Sequence, residues 1–220
     1  MLPSDPERDA VGRSIAAILM AKEIKRDGGI HAETIMTEIG ALAGFAAQMS
    51  IRKEIIAPQK LDPDAVLVEL VAKNSERYYF SDLLNCILFE NLSTPPYSVW
   101  AYVLGAVGDQ DHELLPDLAD IVSHAARSVG TKQFGVPRLP SAHMPRRLPR
   151  AALHDDWALV QRELIAAGRE PAEWPYDLAL AARWQITTSG DKLAPLLAAK
   201  IVMEAAIPMS KVDPRTVPGA

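Results

Sequence analysis

Cysteine is almost missing from this chain. Cys86 is the only one in 220 residues, so no intrachain disulfide can form and no cysteine cluster can hold zinc. It lies in Leu83-Leu84-Asn85-Cys86-Ile87-Leu88-Phe89, an apolar setting that suits an inert core thiol better than a nucleophile. Long apolar runs are lacking too. The best candidate, Ile39 to Met49, has 11 residues and includes Gln48, well short of the roughly 18 a membrane span needs. The start, Met1 to Asp9, is polar and acidic where a secretory leader would be cationic and then apolar. Together these absences predict a cytoplasmic protein with no membrane partner. Aromatics are scarce, at 6%, and alanine is plentiful, which favours helices packed closely through small side chains. Catalytic and nucleotide-binding signatures are also absent. The chain has no Gly-x-Ser-x-Gly elbow, no Gly-x-x-x-x-Gly-Lys loop, no Gly-x-Gly-x-x-Gly and no His-Glu-x-x-His, so no motif assigns an enzyme class or a cofactor.

One further absence is local. From Ile121 to His154 there is no Asp or Glu, although the chain as a whole carries −5. In their place stand Arg127, Lys132, Arg138, Arg146, Arg147 and Arg150, with His124, His143 and His154 and four prolines, 137, 140, 145 and 149. Directly upstream, Asp109, Asp111, His112, Glu113, Asp117 and Asp120 form a run with no Lys or Arg. The chain therefore switches from acid to base at Ile121.

Half of the residues are apolar and 23% are charged, the balance of a folded globular chain of a size that can bury a substantial core. Periodicity predicts a mainly α protein, a bundle of about seven or eight helices with one short β-hairpin near residues 65–80. Val11, Ile15, Ile18 and Leu19 give a helix over Pro6 to Arg26, stopped by Gly28-Gly29. A second runs from about His31 to Ile55 and ends before Pro58, with Ile35, Ile39, Leu42, Ala43 and Ala46 as its apolar face. Val66 to Val71 and Arg77 to Phe80 are β-prone runs around Lys73-Asn74-Ser75-Glu76, which favours a hairpin over a helix.

Ser81 and Ser98 are expected to cap the next two helices. Another helix starts between Glu113 and Pro116 and runs to about Ser128, with Gly130 just past its end. Prolines make 131–149 irregular. Three helices follow, over about Asp155 to Ala167, Pro175 to Ile186 and Asp191 to Ile207, with a frayed tail after Pro208. The organisation expected is a helical core over 1–130, a basic Pro-rich connector over 131–150, and C-terminal helices over 151–208 packed on that core.

Three constellations bear chemistry. His31, Thr34 and Glu38 fall at i, i+3 and i+7, continued by Gln48 and Arg52, and place a histidine and a carboxylate on one helix face as an acid–base pair. Glu33 should point away from that face, and a polar strip beside the apolar face is the plainer reading. Asp117, Asp120 and His124 share a face at the same spacing, with Asp120 and His124 at chelating distance for a divalent metal. A solvated helix start whose acids suit the dipole is the plainer reading. Gly40 and Gly44 allow another helix to approach closely, within the chain or across a homodimer seam.

The basic segment itself wants an anion. Without its six bases the remainder holds 17 bases against 28 acids, or −11, which would repel a polyanion, so nucleic acid is disfavoured. A small phosphate- or carboxylate-bearing ligand needs only local charge. The sequence therefore predicts a binding or interaction protein in which Lys132, Arg138, Arg146, Arg147 and Arg150 receive a small anionic ligand or an acidic partner. The alternatives are docking of the segment on the acidic run upstream, a metal-assisted hydrolase using Asp117, Asp120 and His124, and a structural homodimer through Gly40 and Gly44.

Overall fold

Small capping side chains set several of the helix starts. The computed structural model describes residues 6–90, 97–108 and 114–220. In chain order the α-helices are α1 (Pro6–Asp27), α2 (Ala32–Ile51), the short α3 (Ala57–Gln59) and α4 (Pro63–Val66), α5 (Asp82–Leu88), α6 (Val99–Leu104), α7 (Leu118–Ser128), α8 (Pro149–Ala166), α9 (Trp174–Ser189) and α10 (Pro195–Met209). Side chains of Asp62, Ser81, Ser98 and Asp117 accept backbone N–H groups two or three residues on, at 3.0–3.1 Å. Each satisfies a donor otherwise orphaned at a helix start. Gly130, just past α7, has φ +73°, and its N–H donates to the Tyr78 hydroxyl at 3.3 Å. A Cβ there would also crowd Ala72, so glycine is needed for both conformation and space.

The fold is mainly α, with a single antiparallel hairpin among the described residues. Strand β1 (Val68–Val71) pairs with β2 (Arg77–Phe80) in the register Val68↔Phe80, Glu69↔Tyr79, Leu70↔Tyr78, Val71↔Arg77. The α2 helix forms the axis. Every residue from Glu33 to Ile51 is buried, and α1, α5, α8, α9 and α10 all pack against it. Phe45 meets Trp157 edge-on, with centroids 4.9 Å apart. Side chains such as Ile35, Ile39 and Leu42, fully buried, contribute about 2 kcal/mol each from apolar surface removed from water. The closest approach is to α10. A Cβ on Gly40 would overlap the Val202 carbonyl, and one on Gly44 the Ala206 carbonyl. Those glycines therefore pack within the chain, and the proposed dimer seam through them is already filled by α10.

Several boundaries differ from the sequence reading. Helix α2 does not end before Pro58. It widens into a π turn (Arg52–Ile56), passes into α3, and stops at Lys60 in the left-handed region. The π turn accommodates the donor that Pro58 lacks. Helix α8 starts at Pro149 rather than Asp155, because proline at the first helical position loses only a bond that was unavailable anyway. A 3₁₀ turn (Gly190–Lys192) precedes α10, which begins at Pro195 for the same reason.

The largest correction is the tail, which is not frayed. Ser210, Lys211, Val212 and Asp213 are all buried. Tyr79 N–H donates to the Lys211 carbonyl at 2.9 Å, and Val212 bridges Tyr78, so the tail lies along the free edge of β2. The amide of Gln48, on α2, donates to the carbonyls of Ser210 at 2.7 Å and Val212 at 3.1 Å. Among the described residues no helix is long and apolar enough to cross a membrane.

Candidate functional site

The basic connector descends from α7 over the ends of α2, α8 and α10, and most of its arginines meet carboxylates of their own chain. Arg138 contacts Asp120 at 2.7 Å and Glu204 at 3.2 Å, and its backbone N–H also reaches Glu204 at 3.4 Å. Arg147 contacts Glu38 at 2.7 Å, Asp155 at 3.2 Å and Asp156. Arg150 contacts Glu76 at 2.9 Å. Glu38, Asp156 and Glu204 are buried, and burying a carboxylate without a counter-charge costs several kcal/mol, so these cations offset a large penalty. Lys22 adds a second cation to Asp156, and Arg26 a second to Glu38 at 3.3 Å. Docking on the upstream run is limited to the Arg138–Asp120 pair among the described residues; Asp109, Asp111, His112 and Glu113 lie outside them. Arg146 and Lys132 are exposed. The Arg146 backbone N–H donates to Thr34 at 3.0 Å.

The polar strip of α2 is internal wiring. Glu38 faces Arg26 and Arg147, not His31. His31 instead meets the Thr34 hydroxyl at 2.9 Å and Glu33 at 3.4 Å. Glu33 is therefore not on the far side. His31 precedes the helix with extended backbone (φ −112°, ψ 110°), so helical spacing does not govern its side chain. His143, from the connector, reaches Glu33 at 2.9 Å. Burial works to raise the Glu33 pKa, but the bond from His143 and the neighbouring charges outweigh it and hold the carboxyl below its ordinary value. Gln48 receives Arg52 Nε at 3.0 Å, and Arg52 lies 4.4 Å over the Tyr79 ring.

The candidate metal residues do not converge. Asp117 caps its own helix, Asp120 pairs with Arg138, and His124 Nε2 is buried without a hydrogen-bond partner. Among the described residues no three His, Cys, Asp or Glu side chains are placed to hold a metal. Cys86 is half-buried rather than a core thiol, and burial with the nearby Glu90 pushes its pKa up.

A different site is open. The π turn, α4, the hairpin, the start of α5 and α7 surround a groove of about 630 Å³. Its apolar walls are Ile55, Val66, Val68, Phe80, Leu83 and Val122, and its polar lining is Ser81, Asp82, Asn85 and Lys211. Lys211 is 3% exposed. Its Nζ lies 5.1 Å from the Phe80 centroid and reaches the Ser210 hydroxyl only at 3.5 Å. No carboxylate among the described residues pairs with it. Burial alone pushes its pKa down to about 8, since an ammonium with no counter-charge is disfavoured in an apolar setting.

No protein-family model, curated protein or solved structure matches this chain.

The chemistry of the groove is a contrast between an apolar wall and one buried cation that no carboxylate pairs with among the described residues. A groove of this size falls within the range of small-molecule sites, where mostly apolar walls hold a ligand and a few polar groups orient it. Sequence reasoning misses Lys211 because Pro208 reads as the end of order. A signal was present. Ile201 to Met209 is apolar except for Glu204, and the run continues past Lys211 into Val212, which is the pattern of a chain that stays inside.

Proposed function

We propose that the chain binds a small amphipathic anion, with its apolar part in the groove and its anionic head at Lys211 Nζ. The observation that carries this reading is the buried Lys211 ammonium, without a carboxylate among the described residues, lining a largely apolar groove. A carboxylate or phosphate there would convert a costly isolated charge into a charge-assisted hydrogen bond. This keeps the ligand class that the composition suggested but moves its seat. Arg138, Arg147 and Arg150 already hold carboxylates, while Lys211 holds none.

Octanoate is a suitable probe. Calorimetric titration should show one site per chain and a melting temperature that rises with octanoate concentration, as expected for a ligand that binds only the folded state. Lys211→Met should weaken binding at least tenfold, and Arg146→Ala should leave it unchanged. Equal binding by wild type and Lys211→Met would sink the proposal, and loss in Arg146→Ala would return the site to the connector.

A further inference from the structure

Lys211 differs from an ordinary anion-binding lysine in its access to the uncharged form. We infer that the same groove also captures short apolar aldehydes covalently, as a reversible imine on Lys211 Nζ. This rests on the reading above that the groove admits an apolar tail. It adds a second ligand class that uses the other protonation state of the same nitrogen.

The geometry supplies what imine formation needs. Lys211 lines the groove, and its Nζ has the Ser210 hydroxyl at 3.5 Å and the Phe80 ring for neighbours, with no carboxylate paired to it among the described residues. Lys22, the other lysine whose pKa burial lowers, is by contrast bound to Asp156. With a pKa of about 8, roughly a quarter of Lys211 is the free amine at pH 7.5, against about one part in a thousand for an ordinary lysine. The amine lone pair attacks the carbonyl carbon, and the C=O π pair moves to oxygen, which takes up a proton. The resulting carbinolamine loses water as nitrogen releases its proton. Amine and aldehyde thus give imine and one water, with no oxidant or reductant. The apolar walls limit the return of that water. Asp82 is the other charged side chain of the lining and is available to exchange protons with the carbinolamine.

Opposite pH dependences follow for the two ligands. Octanoate needs the ammonium and should bind more weakly as pH rises above 8, whereas aldehyde capture needs the amine and should become faster.

The test uses the full chain with octanal and cyanoborohydride, which reduces any imine to a stable octyl amine, followed by peptide mass mapping. Lys211 should be alkylated at least tenfold faster than each of the eight other lysines, and excess octanoate should slow Lys211 alone. Lys211→Arg, which keeps the charge but not the reactive amine, should still bind octanoate and give no adduct in the groove. If Lys211 reacts no faster than the surface lysines while octanoate still binds, the imine is wrong and the groove reading stands. If octanoate and octanal both fail on folded protein, with folding verified by circular dichroism, both readings fall.

Discussion

The basic connector and the buried tail treat positive charge in opposite ways. Between 131 and 150 the chain concentrates cations, and the structure matches Arg138, Arg147 and Arg150 to carboxylates, three of which are buried. At 211 it buries one cation and matches it to no carboxylate among the described residues. Cation density therefore marks where this protein holds itself together. A single cation in an apolar setting marks where we propose that a ligand binds. The two should also respond to mutation with opposite signs, because an ion pair broken from one side leaves a buried charge, while an unpaired charge removed relieves one.

Arg147→Ala is expected to have the largest effect. It strands Glu38 and Asp156, and should lower unfolding free energy by about 3 kcal/mol in denaturant titration, with Lys22 and Arg26 limiting the loss. A change below about 0.5 kcal/mol would erase the comparison. Lys211→Met should do the reverse and stabilise the chain, by up to about 3 kcal/mol at pH 7.

The pH dependence sharpens that second expectation. Well below pH 8 Lys211 is protonated in folded and unfolded chains alike, and the folded state bears the full cost of the buried charge. Between about 8 and the ordinary 10.5 the unfolded chain holds more proton, so this group's contribution to stability rises with pH. The advantage of Lys211→Met over wild type should therefore shrink from pH 8 to 10, read as converging denaturation midpoints. Parallel midpoints would show that Lys211 is not charged and buried. The smallest effect belongs to Arg150→Ala. Arg150 and Glu76 are 44% and 35% exposed, and their pairing should be worth about 0–1 kcal/mol. A larger loss would place Arg150 among the interior pairs.

Much of the scaffold was legible because its signals are local. Ser81 and Ser98 announce helix starts through their own side chains, and Gly130 announces a stop, whereas α7 starts at Leu118 under the Asp117 cap, later than the Glu113 to Pro116 start expected. The two β-prone runs around Lys73-Asn74-Ser75-Glu76 gave the hairpin in the right place. The all-round burial of α2 was not legible. Thr34, Glu38 and Gln48 look like a solvent-facing strip, yet their partners are Arg146, Arg147 and Ser210, about a hundred residues or more away along the chain. The site was hidden for a related reason. What distinguishes Lys211 is the lack of a counter-charge around it, and a lack of neighbours in space has no sequence pattern.

The close seating of α10 on α2 has a kinetic consequence. Gln48 and Ser210, which it brings together, are 162 residues apart, and Gly44 meets Ala206 at similar separation. A chain whose most extensive helix–helix contact joins such distant segments must close that loop before the contact can reward it, which slows folding relative to helical proteins built from neighbouring hairpins. The central axis of this molecule is therefore also where the entropy of closing so long a loop is met.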